Sequence, residues 1–330
     1  SLHDALPIYS PRHRHRALIP PDLLPARPVD LARAHAGKSA KDKGGQPERP
    51  RVAQDGVKLG RRVRADLRAL RAPWDRLGRA HLGLGQVAAA AGVAAVHECG
   101  GPVIGGRDDW TELLSTEHGV EVTGYWGETV GTADEARALV AETGAHGLAG
   151  DLFADGALGS HTAWLRHPYT DAPGCHGNRY LDDDAIEAHL SACTEAQVPA
   201  GFHVIGDAAV GAVVDALDRV VARHGIPAVA RCGHRLEHVE MVDAEQAAKL
   251  GSWGVIASMQ PNFDALWGGR TGMYAQRLGA DRAERLNPLA LLASHGVPLA
   301  FGSDSPAMVV RSLSSGWYAA AICAVVRAAI

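Results

Sequence analysis

From about residue 60 to residue 302, short apolar stretches alternate with longer amphipathic ones, and this alternation limits the fold more than any other feature of the chain. The short stretches read as strands near Val93–His97, Val120–Trp126, Leu148–Ala154, Ala200–Ile205, His234–Val239, Gly254–Met259 and Pro298–Gly302. Helical periodicity runs over Leu77–Ala91, Ala133–Thr143, Asp183–Gln197, Asp207–His224, Ala244–Leu250 and Pro288–His295. A helix between two strands carries the chain back along one face of the sheet, so the next strand lies parallel to the last. Seven recognisable β/α units predict an α/β fold, an incomplete TIM-type (β/α)8 barrel one unit short of the eight that close the ring. A doubly wound open sheet is the alternative. It finds no support in a Gly-x-Gly-x-x-Gly after an early strand.

The first 55 residues do not share the pattern. Eight of the first fifty are proline, beside Arg/His clusters ("PRHRHR") and a polar run ("GKSAKDKGGQPERP"). With so little apolar periodicity they are expected to stay irregular. The chain therefore divides into residues 1–55 and a partial barrel of residues 56–330. His13-Arg14-His15 lies in the first part, and without a strand pattern around it reads as a solvated run. The net charge of -4 gives no footprint for nucleic acid or an anionic membrane. No apolar run is long enough to span a bilayer; the most apolar stretch, Tyr318–Ile330, is broken by Arg327 and reads as a packed helix. The five cysteines form no Cys-x-x-Cys pair, which predicts reduced thiols and a cytoplasmic setting.

In a parallel barrel, chemistry gathers at the C-terminal ends of the strands. Those ends carry His97 and Glu98, Tyr125 and Trp126, Asp151 and Asp155, His203, Glu237 and His238, Gln260, and finally Asp304 in "FGSDSP". A lone strand histidine is commonly a hydrogen-bonded core residue. Two histidines and an aspartate at one barrel mouth are a metal-ligand set. Imidazole and carboxylate suit zinc or a similar divalent ion that keeps one position open for water. The ion brings the pKa of that water toward neutrality, and a neighbouring carboxylate can move its proton. Asp207, opening the helix after "GFHVIG", reads as that helix's cap.

Five motifs in order, "LFADGALGSHTAWLRHPYTDAPG", "GFHVIGDAAV", "HRLEHVEMVD", "ASMQPNF" with "WGGRTGMYAQRLG", and "GVPLAFGSDSP", resemble the amidohydrolase 3 family. This branch of the metal-dependent amidohydrolase superfamily includes N-substituted formamide deformylase-like proteins. The likeness runs from about residue 60 to about residue 306. It implies hydrolysis of carbon–nitrogen bonds other than peptide bonds in a small-molecule substrate, with a divalent metal, zinc, as cofactor. By the resemblance, His203 and His238 are the metal ligands of the fifth and sixth barrel strands. Asp304 is the eighth-strand aspartate that binds metal and acts as the base. Asp151 stands where many relatives carry a bridging lysine. The family's first barrel strand bears a His-x-His pair; no such strand is read here, and it is the unit missing from the count. Residues 1–55 do not resemble the family's amino-terminal region.

Asp155, Arg235, Glu237, Gln260 and His97 are expected to orient the ligands or to touch substrate. The bland alternatives are a turn at Asp155-Gly156 and a purely internal Arg235–Glu237 ion pair. His161 lies in a loop of roughly 25 residues, long enough for a substrate lid. Trp267 and Arg270 either line the pocket or pack a surface loop. Two other functions stay open: a chain that keeps the motifs without holding metal, and a metal-dependent ester or phosphoester hydrolase on the same scaffold.

Overall fold

The computed structural model describes residues 88, 89 and 93–304. The chain divides into two units, Ser1–Arg68 and Ala69–Ile330, and the described residues all lie in the second. The expectations for residues 1–55, for the helix Tyr318–Ile330 and for most of the helix Leu77–Ala91 fall outside the described residues; Ala88 and Ala89 are helical.

The elements in order are β1 (Ala95–Gly100), α1 (Gly106–Ser115), β2 (Glu121–Trp126), α2 (Ala133–Thr143), α3 (Asp183–Ala196), β3 (Gly201–Val204), α4 (Asp207–His224), α5 (Ile226–Cys232), β4 (Arg235–His238), α6 (Ala244–Trp253), β5 (Ile256–Met259), α7 (Pro261–Trp267), α8 (Met273–Leu278), α9 (Ala280–Ala283), α10 (Leu289–Ser294) and β6 (Leu299–Phe301). Every strand pair is parallel: β1 with β2 in one sheet, and β3-β4-β5-β6 in order in another. Local chemistry sets several helix ends. Thr132 and Glu135 form a reciprocal capping box at the start of α2, and Asp243 and Gln246 do the same for α6. Asp182 caps α3 through the Ala185 N–H. Asp207 does not cap α4. Gly206 holds that position, and the Asp207 carboxylate instead accepts the Arg166 N–H at 2.9 Å, tying the preceding loop to the first turn.

The strand expected over Leu148–Ala154 is not a regular strand. Residues 146–154 nevertheless join the two sheets, through parallel bridges Tyr125–Gly147, Leu148–Ala200 and Phe153–His203. The Trp126 N–H donates to the Gly147 carbonyl at 3.0 Å, and the His203 N–H to the Leu152 carbonyl at 3.0 Å. What breaks the ladder is Gly150, at φ 82, outside the range a strand residue adopts. A Cβ there would stand 2.7 Å from the Cys99 Cβ, so glycine lets this segment bend closely over β1.

The apolar core lies between sheet and helices, with Trp126, Leu148, Leu190, Phe202, Leu217, Leu236, Leu250 and Met259 all fully buried. β3 and β4 are buried along their whole length, as central strands covered on both faces must be. A second cluster (Leu158, Tyr169, Ile205, Phe263, Tyr274 and Leu278) packs the loop after residue 155 against α7 and α8. On the sheet's other face the Arg235 guanidinium of β4 lies 2.7 Å from His97 of β1 and 4.4 Å from the ring centre of Tyr125 of β2. In a flat sheet β1 and β4, four spacings apart, would be separated by about 19 Å. The sheet is therefore strongly rolled, and this face is concave.

Candidate active site

β3 and β4 each bring one histidine to the same place. The rings of His203 and His238 meet edge-on, 4.5 Å between centroids and 66° between planes. Burial pushes His203 down to about 3, helped by the neighbouring His238 and opposed by the Gly156 carbonyl, 3.2 Å from its Nε2. His203 is thus a neutral imidazole, the form that binds metal. His238 is oriented by Gln260. The Gln260 Nε2 donates to the Ser258 carbonyl, which turns its Oε1 toward His238 Nδ1 at 2.7 Å. The proton of His238 then sits on Nδ1, and Nε2 keeps its lone pair for a ligand. Phe263, three residues after Gln260, stacks on the other face of His238 at 5.8 Å and 12°.

The backbone is bent to present this ring. His238 and Val239 have φ 74 and 47, and the Val239 N–H reaches the Glu237 carbonyl at 3.1 Å, a γ-turn across His238. Positive φ costs on the order of 1–3 kcal/mol per residue, most for a β-branched one such as Val239. Simple strand alternation would put His238 on the side of Leu236, among the helices. The turn re-aims it.

The candidate carboxylates lie on other segments. Asp304, at φ 53, follows the end of β6 and is exposed. Burial pushes Asp151 up to about 7, and the charges of Asp304, Glu237 and Glu98 add to the rise. Asp155 is wholly buried, and its two oxygens accept three backbone N–H groups: Ile205 at 3.0 Å, Gly206 at 2.8 Å and Trp164 at 2.8 Å. It fixes the end of β3 and the loop over it. On the concave face Glu237, the register partner of His203, accepts from Arg235 Nε at 2.6 Å, and Arg235 also donates to Ser258 Oγ at 3.0 Å and to His97.

The structure thus brings together His203, His238 and Gln260, and separately Arg235, Glu237 and His97, while the charge of Asp304 is felt at Asp151. Among the described residues no three His, Cys, Asp or Glu side chains are arranged to hold a metal as one set. His203 Nε2 is turned to a backbone carbonyl instead. The donor chemistry still fits a divalent cation: two imidazoles side by side, and two carboxylates, Asp151 and Asp304, whose repulsion a cation would relieve. His161 pairs with Asp171 at 2.9 Å, and Arg277 of α8 grips the other Asp171 oxygen, so this histidine ties down its own loop. Trp267 packs on Phe263 at 4.7 Å, while Arg270 pairs with Glu284 at the surface. Sequence reasoning missed Glu240, two residues past His238 in "HVEMVD". It is fully buried and hydrogen-bonded to Tyr274, its Oε2 has no partner among the described residues, and burial pushes it up to about 8. Its place in an otherwise apolar step after the strand was the available signal.

A model of the amidohydrolase family matches residues 4–321. The chain belongs to the amidohydrolase family. Within it, the chain is 31% identical over 158 residues to the Bacillus subtilis protein YtcJ, whose name places it among amidohydrolases, covering 47% of this chain and 28% of YtcJ. It is 30% identical over 168 residues to the Arabidopsis thaliana protein LONG AFTER FAR-RED 3, covering 49% and 27%. Each match therefore spans less than a third of the curated relative. An uncharacterized metal-dependent hydrolase from Pyrococcus furiosus superposes with a TM-score of 0.53 at 24% identity, over 69% of this chain and 46% of that one. Its counterpart from Pyrococcus horikoshii gives 0.50 at 20%, over 68% and 44%. At these identities the likeness is one of fold, α/β with parallel strands.

Proposed function

We propose that this amidohydrolase-family chain carries most of a (β/α)8-type barrel whose mouth is the site of a metal-dependent hydrolase acting on a carbon–nitrogen bond other than a peptide bond. The substrate class is an amide or formamide-like small molecule. The observation that carries the reading is the edge-on pair of imidazoles, His203 and His238, offered from adjacent parallel strands. His203 and His238, with Asp304 and Asp151, would hold a divalent ion, zinc by donor type. Such an ion supplies a Lewis acid that polarises a carbonyl and acidifies water.

The chain's own residues supply the rest. Gln260 keeps His238 in the tautomer that presents Nε2. Asp304, beyond the end of β6, takes the proton from the attacking water and delivers it to the departing amine nitrogen. Without that delivery an amide anion would have to leave. Asp155 holds the loop after residue 155 over the mouth.

The test is to supply the purified chain with zinc and assay formamides, other amides, carboxylic esters and phosphoesters side by side. Amide or formamide turnover that falls at least about a hundredfold in Asp304→Asn is expected. Turnover confined to phosphoesters, or amide turnover unchanged in Asp304→Asn, would overturn the reading.

A further inference from the structure

His97 lies in the middle of β1 on the concave face, and one of its ring nitrogens is already committed. Nδ1 stands 2.7 Å from Arg235 Nη1. A guanidinium has donors only, so this contact requires the lone pair of His97 on Nδ1. The one proton of the neutral ring must then be on Nε2. Arg235 cannot turn away to release it. Its other nitrogens are held by Glu237 and Ser258, and its plane lies on Tyr125. The ring of His97 is braced in turn by Tyr125, 5.6 Å away.

The other ring nitrogen of His97 is Nε2. The residue is partly exposed, and Nε2 has no hydrogen-bond partner among the described residues. The groups facing it are Arg235 and Glu237 from β4, Tyr125 from β2 and His146 from the bridging segment. Burial, then Arg235, push His97 down to about 4; Glu237 opposes them and His146 adds to the fall. The ring therefore stays neutral at ordinary pH. Through Arg235 it is connected to Glu237, which pairs in register with His203.

We propose that His97 is a substrate-positioning hydrogen-bond donor of this site, its Nε2–H binding an oxygen of the ligand: the amide carbonyl of a substrate or the carboxylate released from it. The choice of ligand rests on the hydrolase reading above; the fixed donor does not.

The test uses the full chain labelled with 15N-histidine. Two-bond proton–nitrogen spectra at pH 6.5 should show His97 as the Nε2–H tautomer. Acetate, the simplest carboxylate product, should shift that signal saturably. In His97→Gln the side-chain oxygen can accept from Arg235 while the amide donates outward, so acetate affinity should stay within about threefold. In His97→Phe both bonds are lost, and affinity should fall at least tenfold. His97 found as the Nδ1–H tautomer or as imidazolium at pH 6.5, or acetate binding equally well to His97→Phe, overturns the proposal. Should no amide be hydrolysed while tautomer and acetate results hold, the donor stands and only the choice of ligand falls with the hydrolase reading.

Discussion

Replacing Asp155 with alanine removes the acceptor from three backbone N–H groups at once. Ile205 and Gly206 belong to the end of β3, and Trp164 to the end of the tight turn that begins at Gly156. The carboxylate has 0% exposure, so water does not reach these donors without opening the structure. A buried donor left unsatisfied costs about 1–3 kcal/mol, and three of them set a loss of at least about 3 kcal/mol. Asp155→Asn is the sharper variant because it keeps the volume. Whichever way the amide turns, its NH2 faces at least one of these N–H groups, donor against donor, and the loss should be nearly as large. Asp207→Ala is the control: it gives up one bond, to Arg166, in a half-buried place, and should cost about 1 kcal/mol. Urea unfolding at pH 7 followed by far-UV circular dichroism reads all three as midpoint shifts at constant slope. If Asp155→Asn unfolds within 1 kcal/mol of the parent, the carboxylate is not what holds the strand end, and the argument fails.

The remaining expectations concern pH, ligand orientation and packing. Burial pushes His189 down to about 4, against an ordinary value of 6.5, while its Nδ1 accepts the Val130 N–H and its Nε2–H donates to the Leu148 carbonyl. The unfolded chain protonates first, so this contribution is complete above pH 6.5 and is lost as pH falls toward 4, about 2 kcal/mol of it by pH 5. In His189→Gln the drop in stability between pH 7 and pH 5 should shrink by that amount, as read from urea midpoints; an unchanged drop refutes it. Gln260→Leu leaves His238 Nδ1–H without its acceptor and should weaken zinc binding about 10- to 100-fold in competition with a chromogenic chelator. Gly124→Ala drives a methyl into the Trp110 ring, which packs edge-on against Trp126 at 5.2 Å. It should cost about 1–3 kcal/mol and alter the near-UV tryptophan spectrum; an unaltered spectrum would show that the ring has room to give.

The parts of this fold that were legible in the sequence were those fixed by neighbours along the chain. α2 and α4 begin and end where periodicity places them, the first helped by the Thr132–Glu135 box. α1, α5, α7, α8 and α9 were not anticipated: none has a side-chain cap, and all but α1 are two turns or shorter. Gly150 interrupts a segment that pattern alone reads as strand, because its φ answers to Cys99, 51 positions earlier. The positions of His203 and His238 on strands could be read from their apolar flanks. That Gln260 and Phe263 hold His238 between them could not, since it depends on a backbone turn at His238 that no propensity describes.

The Arg235 hub sets the order in which the protein can be assembled. His97 and Arg235 are 138 positions apart, so the bond between them closes only after β4 has been synthesised and paired. Until then β1 and β2 form a two-stranded piece with its concave face uncovered, and Arg235, once made, has no settled partner across the sheet. A contact this distant in sequence is reached late and against a large loop-closure entropy. Translation delivers the N-terminal half well before the residue that completes it. The interval between the two is when its apolar strands are most exposed to pairing with another copy.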